Sequence, residues 1–335
     1  MKLSKISNSV DGASHLSNLL TKAGSRGESN IFILIVIWTL LIIVSVLHRS
    51  DFLSSTTFGA ITYNMCILGV LVIAQALVVI SGGLLDLSLP VSLLLSAYLA
   101  ATLTNRGLPP ILVVVISILS GALVGLCNVF FIVKLKLNPL IATLAVGFVG
   151  SGILTLVFQR VLLSYKSWII KLGLIRFFEF PLTWYPMALM TILTFLIFRY
   201  TRIGRRITAV GGNPVAAKIS GISLQKYRSM VFVMSGMVSA IAGIVLTSFT
   251  SELRNTSGAL QLLPVITAVV LSGFSLAGGS GNFLALFIAV GFLSTLPTAL
   301  VFFGLGSFWE AFIQGILLIL AVSIDSYKLI KLKGR

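Results

Sequence analysis

The sequence predicts an all-α fold, a polytopic helical bundle with about ten transmembrane helices and both termini in the cytoplasm. Three observations carry this. Hydrophobic residues make up 57% of the 335 positions and charged residues only 10%, and the mean hydropathy is +1.10, values that would expose apolar surface if water were the solvent. Apolar runs repeatedly reach the roughly 20 residues that a helix needs to cross a bilayer core. The cations, finally, sort by loop rather than along the chain.

Taken in order, the expected spans are Ile31–Leu47, Ala60–Ser81, Leu85–Leu103, Pro110–Val133, Pro139–Phe158, Leu182–Arg199, Met230–Thr250, Leu262–Leu276, Phe283–Phe303 and Ser307–Ile324. The eighth is short enough to be re-entrant or broken. A polar tail over residues 1–30 precedes the first span, which lacks a small-x-small cleavage pattern and reads as an uncleaved signal anchor. With the N-terminus inside, the outer side receives only Arg49, Arg106, Arg160, Lys166, Lys171, Arg176 and Arg254. All other lysines and arginines fall on the cytoplasmic side, including those of a basic tail over residues 326–335, as the positive-inside rule requires. This placement, together with the apolar composition, assigns the net charge of +16 to lipid surface and excludes a nucleic-acid partner.

Two loops are long. The outer loop, residues 159–181, mixes Tyr165, Trp168, Phe177, Phe178 and Phe180 with basic residues, which suits an interfacial helix or a docking site for a soluble partner. The cytoplasmic segment, residues 200–229, contains Val215-Ala216-Ala217-Lys218-Ile219-Ser220, a short helix that Pro214 can begin and Gly221 can end. Its small residues would let another protein approach closely.

Enzyme motifs are not found. Gly212 to Lys218 has the glycine, gap and lysine of a phosphate-binding loop but lacks the second glycine, the following Ser/Thr and a preceding strand. Gly273-Phe274-Ser275-Leu276-Ala277 lacks the last glycine of a nucleophile elbow. His15 and His48 have no partners at metal spacing, and Cys66 and Cys127 lie in apolar spans as small hydrophobes. Neither a metal nor a cofactor is expected on this chain. Polar residues inside spans are few: Asn64, Gln75, Asn128, Thr143 and Gln314 can bond a hydroxylated solute or glue helices together. Asp86, with Ser88, sits where it can line a water-accessible path or cap the third span. Glu310, near the outer end of the last span, can line a pore or snorkel to the interface.

Six motifs occur in order from about residue 60: Gly82-Gly83 with Asp86-Leu87-Ser88; Asn138-Pro139-Leu140-Ile141-Ala142-Thr143-Leu144; Ala209-Val210-Gly211-Gly212-Asn213-Pro214 with Ala216-Ala217 and Ser220-Gly221-Ile222; Ser235-Gly236 with Ala242-Gly243-Ile244; Ala268-Val269-Val270 with Gly273 and Ser275 to Gly281; and Ser307-Phe308-Trp309 with Gly315. In this the chain resembles the permease subunits of ribose-type monosaccharide ABC importers. The resemblance implies a subunit of the bacterial inner membrane, paired with a second permease as a homo- or heterodimer. A cytoplasmic ATPase that holds ATP and magnesium would drive it, and a periplasmic sugar-binding protein would feed it. It implies that Gly211, Gly212, Asn213, Ala216, Ala217 and Gly221 form the segment that couples to the ATPase. Asn64, Gln75, Asp86, Ser88, Thr143 and Gln314 are the candidate path residues.

The chain departs from that pattern at two places. Leu84 and Leu85 stand between the Gly-Gly pair and Asp86, with Leu89-Pro90 where the family has Val-Gly, and Leu262 and Pro264 replace an acidic pair. These leave the solute open to a furanose, a polyol or a sugar-like signalling molecule. Outside the class, an ion-coupled carrier would need a cation site, for which intramembrane carboxylates are scarce. A channel or scaffold would need no ATPase.

Overall fold

The computed structural model describes residues 31–82, 84–158, 161–164, 167–253 and 261–333. The expected N-terminal tail with His15, and Gly83, Gln159, Arg160, Tyr165, Lys166, Arg254, Gly334 and Arg335, lie outside the described residues.

A helix that is apolar on every side has to be surrounded, and one helix organises the bundle for that reason. Helix α2 (Ser55–Ile80) is buried at every position from Met65 to Ile80. It packs against α7 (Trp184–Tyr200), α10 (Leu224–Phe249), α11 (Leu262–Leu271) and α12 (Phe283–Phe302). Helices α3 (Leu89–Asn105) and α4 (Pro110–Val129) complete the interior by packing on α10.

Small residues set those distances. A β-carbon on Gly121 of α4 would lie 2.1 Å from the Gly236 carbonyl oxygen of α10, and one on Gly243 would lie 2.2 Å from that of Leu93 in α3. Hydroxyls then close the α3–α10 seam: Ser239 donates to the Leu89 carbonyl (2.8 Å), Ser96 to that of Ala240 (2.6 Å) and Thr247 to that of Ala97 (3.2 Å). In lipid, where apolar burial gives helices little reason to associate, such contacts hold the pair.

The rim helices have the opposite character. Helix α1 (Ile31–His48), α5 (Pro139–Val157) and α13 (Ser307–Lys333) carry wide exposed apolar faces, as lipid-facing or partner-facing helices must. Trp38 docks α1 by seating its ring on Gly291 and donating Nε1–H to Thr295 Oγ1 at 2.9 Å.

Among the described residues, six helices are long and apolar enough to cross a membrane, and α7 joined to α8 (Arg202–Gly212), bent by 77°, would be a seventh. Helix α3, helix α11 and the apolar part of α13 are shorter. At 10 residues, α11 extends about 15 Å, half the hydrocarbon thickness, as its short apolar run suggests.

Several boundaries differ from expectation. The third span starts at Leu89 rather than Leu85, because residues 84–88 form a turn ahead of Pro90. Helix α10 begins six residues before Met230, where Ser223 caps it by accepting from Lys226 N. Helix α13 runs on to Lys333, through what was expected to be a tail.

Connecting segments meet in two groups. On the expected outer side, β1 (Val161–Leu162) pairs antiparallel with β4 (Glu252–Leu253), Asn105 reaches the Leu162 carbonyl, and His48 stacks near Phe303. The hairpin of β2 (Arg176–Phe177) and β3 (Phe180–Pro181) also lies there. The outer helix α6 (Trp168–Leu174) is not a free interfacial helix: Ile169, Ile170 and Gly173 are buried, with Gly173 against the Ser248 carbonyl of α10. On the expected cytoplasmic side, α8 packs against α2, and α9 (Pro214–Ile219) packs against α8 and α10.

Candidate functional site

The link between α2 and α3 is held by polar side chains from four helices. Asp86 closes a turn of its own, Oδ1 accepting from Ser88 N (2.9 Å) and Ser88 Oγ (2.6 Å), a local arrangement that short acidic side chains favour. From α10, Ser235 Oγ donates to Asp86 Oδ2 at 3.3 Å. From α4, the Asn128 amide donates to Ser88 Oγ at 2.8 Å and to Asp86 Oδ1 at 3.4 Å.

The backbone of the link is gripped as firmly. Gln75 of α2, with its amide oriented to satisfy both groups, donates to the Asp86 carbonyl (3.1 Å) and accepts from its N–H (3.2 Å). Thr143 of α5 accepts from Leu87 N (3.1 Å) and donates to the Leu85 carbonyl (3.3 Å). Gln75, Ser88, Asn128, Thr143 and Ser235 are fully buried and Asp86 is 1% exposed. A buried carboxylate left without such donors would carry a large desolvation penalty. The Asn128 Oδ1 atom is buried with no partner.

Four of the six candidate path residues therefore come together at the link: Gln75 and Ser88 bond Asp86, and Thr143 bonds the backbone on either side of it. The other two stand apart. Asn64 is half-buried and lies 11 residues before Gln75 on α2, about 16 Å away along the axis. Gln314 on α13 donates to Glu310 at 3.1 Å. Asn128, one of the polar span residues expected to bond a solute or glue helices though not among the six path residues, joins the cluster. Ser235 joins it without having been a candidate, since serine in a small-residue stripe reads as packing.

The second region is the segment expected on the cytoplasmic side. Thr201 caps α8 by accepting from Gly204 N at 3.2 Å, and Gly204 fits directly against Ile197 and Phe198 of α7, which permits the sharp bend. Gly204, Ile207, Val210 and Gly211 form the buried stripe of α8, a helix the sequence reading missed because glycines interrupt its start and end. Gly211 meets the end of α2: a β-carbon there would lie 2.0 Å from the Ile80 carbonyl oxygen. That same oxygen accepts from Gly279 N at 2.9 Å, and Gly279, at φ +74°, crowds Gly212.

Helix α9 follows as expected. Pro214 occupies its first turn, Asn213 Oδ1 accepts from Ala216 N at 3.0 Å, and Gly221, at φ +76°, ends it as Ile222 N returns to the Ala217 carbonyl. The coupling candidates divide. Gly211 and Ala217 are buried, turned into this chain, whereas Gly212, Asn213, Ala216 and Gly221 are exposed. Val215, 70% exposed, and Ile219, 82% exposed, stand beside them and line a shallow recess with Pro214, Lys218 and Leu224. Among the described residues no three His, Cys, Asp or Glu side chains converge as metal ligands would.

Residues 57–322 match the family described as branched-chain amino acid transport system / permease component. The chain is 34% identical to the ribose import permease protein RbsC of Bacillus subtilis, over 87% of this chain and 91% of the relative. It is 29% identical to the fructose import permease protein FrcC of Rhizobium meliloti, over 88% and 84%. It is also 29% identical to the autoinducer 2 import system permease protein LsrD of Escherichia coli, over 78% and 81%. No solved structure matches the chain.

Proposed function

The chain belongs to the permease-component family of branched-chain amino acid transport systems, and on that premise we propose that it is the membrane-spanning subunit of an ATP-driven importer for a monosaccharide. It is a multi-pass membrane permease and not itself an enzyme. The bacterial inner membrane is its location, a second permease subunit its pair and a periplasmic sugar-binding protein its donor of solute. ATP and magnesium act on a separate cytoplasmic ATPase.

The observation that carries this reading is α9. Its small and apolar side chains, Val215, Ala216 and Ile219, project from the expected cytoplasmic side of the bundle, and exposed apolar clusters of this kind mark docking surfaces. The ATPase holds α9, and its movement reaches α2 through Gly211 and Gly279. Alternating access then requires each nucleotide state to bind one conformation of the pair better than the other. At the 84–88 link, a hydroxylated solute would exchange its own hydrogen bonds for those among Gln75, Asp86, Ser88 and Thr143. A second solute, a sugar-like signalling molecule, is favoured by the likeness to the autoinducer 2 permease.

The test is extraction of the protein from its native membrane in mild detergent, with mass spectrometry of whatever remains bound. Recovery of an ATPase with a phosphate-binding loop, lost when Ala216 is replaced by tryptophan, is the expected result. An intact complex that reproducibly lacks any ATPase would return the field to an ion-driven carrier or a channel.

A further inference from the structure

Where α7 gives way to α8, the chain carries Arg199, Tyr200, Arg202, Ile203, Arg205 and Arg206, all exposed. Their depth follows from α7. Its outer end bears Trp184 and Tyr185, aromatic residues of the kind that settle at headgroups. Its 17 residues extend about 25 Å, which brings Tyr200, 66% exposed, to the opposite interface. The 77° bend then lays α8 along that surface. Its buried stripe faces the bundle and its arginines face away.

Three of these arginines share one recess. Arg202, Arg205, Arg206, Ala209 and Ile222 line a shallow hollow of about 390 Å³. Two of the guanidinium groups are already anchored: Arg205 Nη1 donates to the Tyr200 carbonyl at 3.1 Å, and Arg206 Nη1 to Tyr227 Oη at 3.0 Å. A guanidinium has five N–H donors in a planar fork, so each anchored group keeps donors for a second acceptor, with part of its entropy already lost. Among the described residues, no carboxylate forms an ion pair with Arg202, Arg205 or Arg206.

We infer that this recess binds the phosphate of an anionic phospholipid, the acyl chains lying beside Ile203 and Tyr200. Charge complementarity and depth select this occupant, since basic hollows at the cytoplasmic ends of membrane helices suit lipid phosphates. The inference is independent of the solute and of the ATPase, because the recess is lined by residues other than those of the α9 hollow.

The test is native mass spectrometry of the full-length protein, purified in mild detergent and titrated with phosphatidylglycerol against phosphatidylcholine. Discrete retention of phosphatidylglycerol by the wild type is expected, weakened roughly tenfold or more in Arg202→Gln/Arg205→Gln, with phosphatidylcholine unchanged. Arg202→Gln alone, which leaves the anchoring bond of Arg205 in place, gives an intermediate loss and covers the case in which the double variant fails to fold. Equal retention by wild type and variants would overturn the proposal, as would indifference to the headgroup. Displacement of the lipid by millimolar inorganic phosphate would make this a free-anion site. Unchanged lipid binding with loss of a co-purifying protein would make it a protein surface, and either of these results also overturns the lipid assignment.

Discussion

The 84–88 link and α9 lie at the same end of the bundle, yet they use short and polar residues in opposite ways. In the link every such side chain is turned inward and bonded to a neighbour: Asp86 alone gathers Ser88, Asn128 and Ser235. In α9 the polar atoms are spent on ending the helix at both sides, through Asn213 and Gly221, while the remaining face is left open. Residue type therefore does not distinguish the structural site from the proposed docking site. The direction of the Cα–Cβ bond does, and within the proposed coupling segment it changes from one residue to the next.

The sharpest break of this contrast comes from neighbouring glycines. Gly211→Leu would drive a side chain into the Ile80 carbonyl, and overpacking against rigid backbone costs about 3 kcal/mol or more, so size-exclusion chromatography should find little folded protein. Gly212→Ala, whose β-carbon would sit 3.7 Å from Gly279 Cα, should elute as the wild type does.

Next in size is an effect on transport alone. Ala216→Trp should leave the melting temperature unchanged and lower ATP-dependent uptake roughly tenfold or more, as blockage at the centre of an interface does. Equal losses of stability and uptake would place α9 with the buried link instead.

Asp86→Ala tests the link from its centre. It strands the donors of Ser88, Asn128 and Ser235 and should cost about 2–4 kcal/mol, read as a lower melting temperature in detergent. Asp86→Asn keeps an acceptor for part of the network and should lose less. The smallest measurable loss is that of Gly221→Ala. Nothing lies within 4 Å of its β-carbon position, so only the left-handed backbone opposes it, at about 1 kcal/mol. A greater loss would mean that α9 is packed more tightly than its exposure suggests.

Much of this was legible in the sequence. Apolar runs placed a helix in each expected span, and Pro214 with Gly221 fixed the ends of α9, because capping is local chemistry written in adjacent residues. Helix α8 was hidden because, at 11 residues and with three arginines, it is too short and too polar to register as a span, and Gly204 and Gly211, half of its buried stripe, do not read as core residues. The grouping of Gln75, Asp86, Ser88 and Thr143 was hidden for another reason. They lie on or beside three helices, 68 positions apart at the extremes, and only tertiary packing brings them together. The same holds for the division of the coupling segment: Gly211 and Gly212 are identical in sequence, and their surroundings alone separate them.

The contact of Ile80 with Gly211 and Gly279 is made of main chain on every side. Main-chain contacts do not change when side chains elsewhere are replaced. If α9 couples to an ATPase as proposed, residues along α2 can diverge to suit a new cargo while this contact keeps its geometry, and the identity of the passenger and the transmission of force would be separable inheritances of one helix.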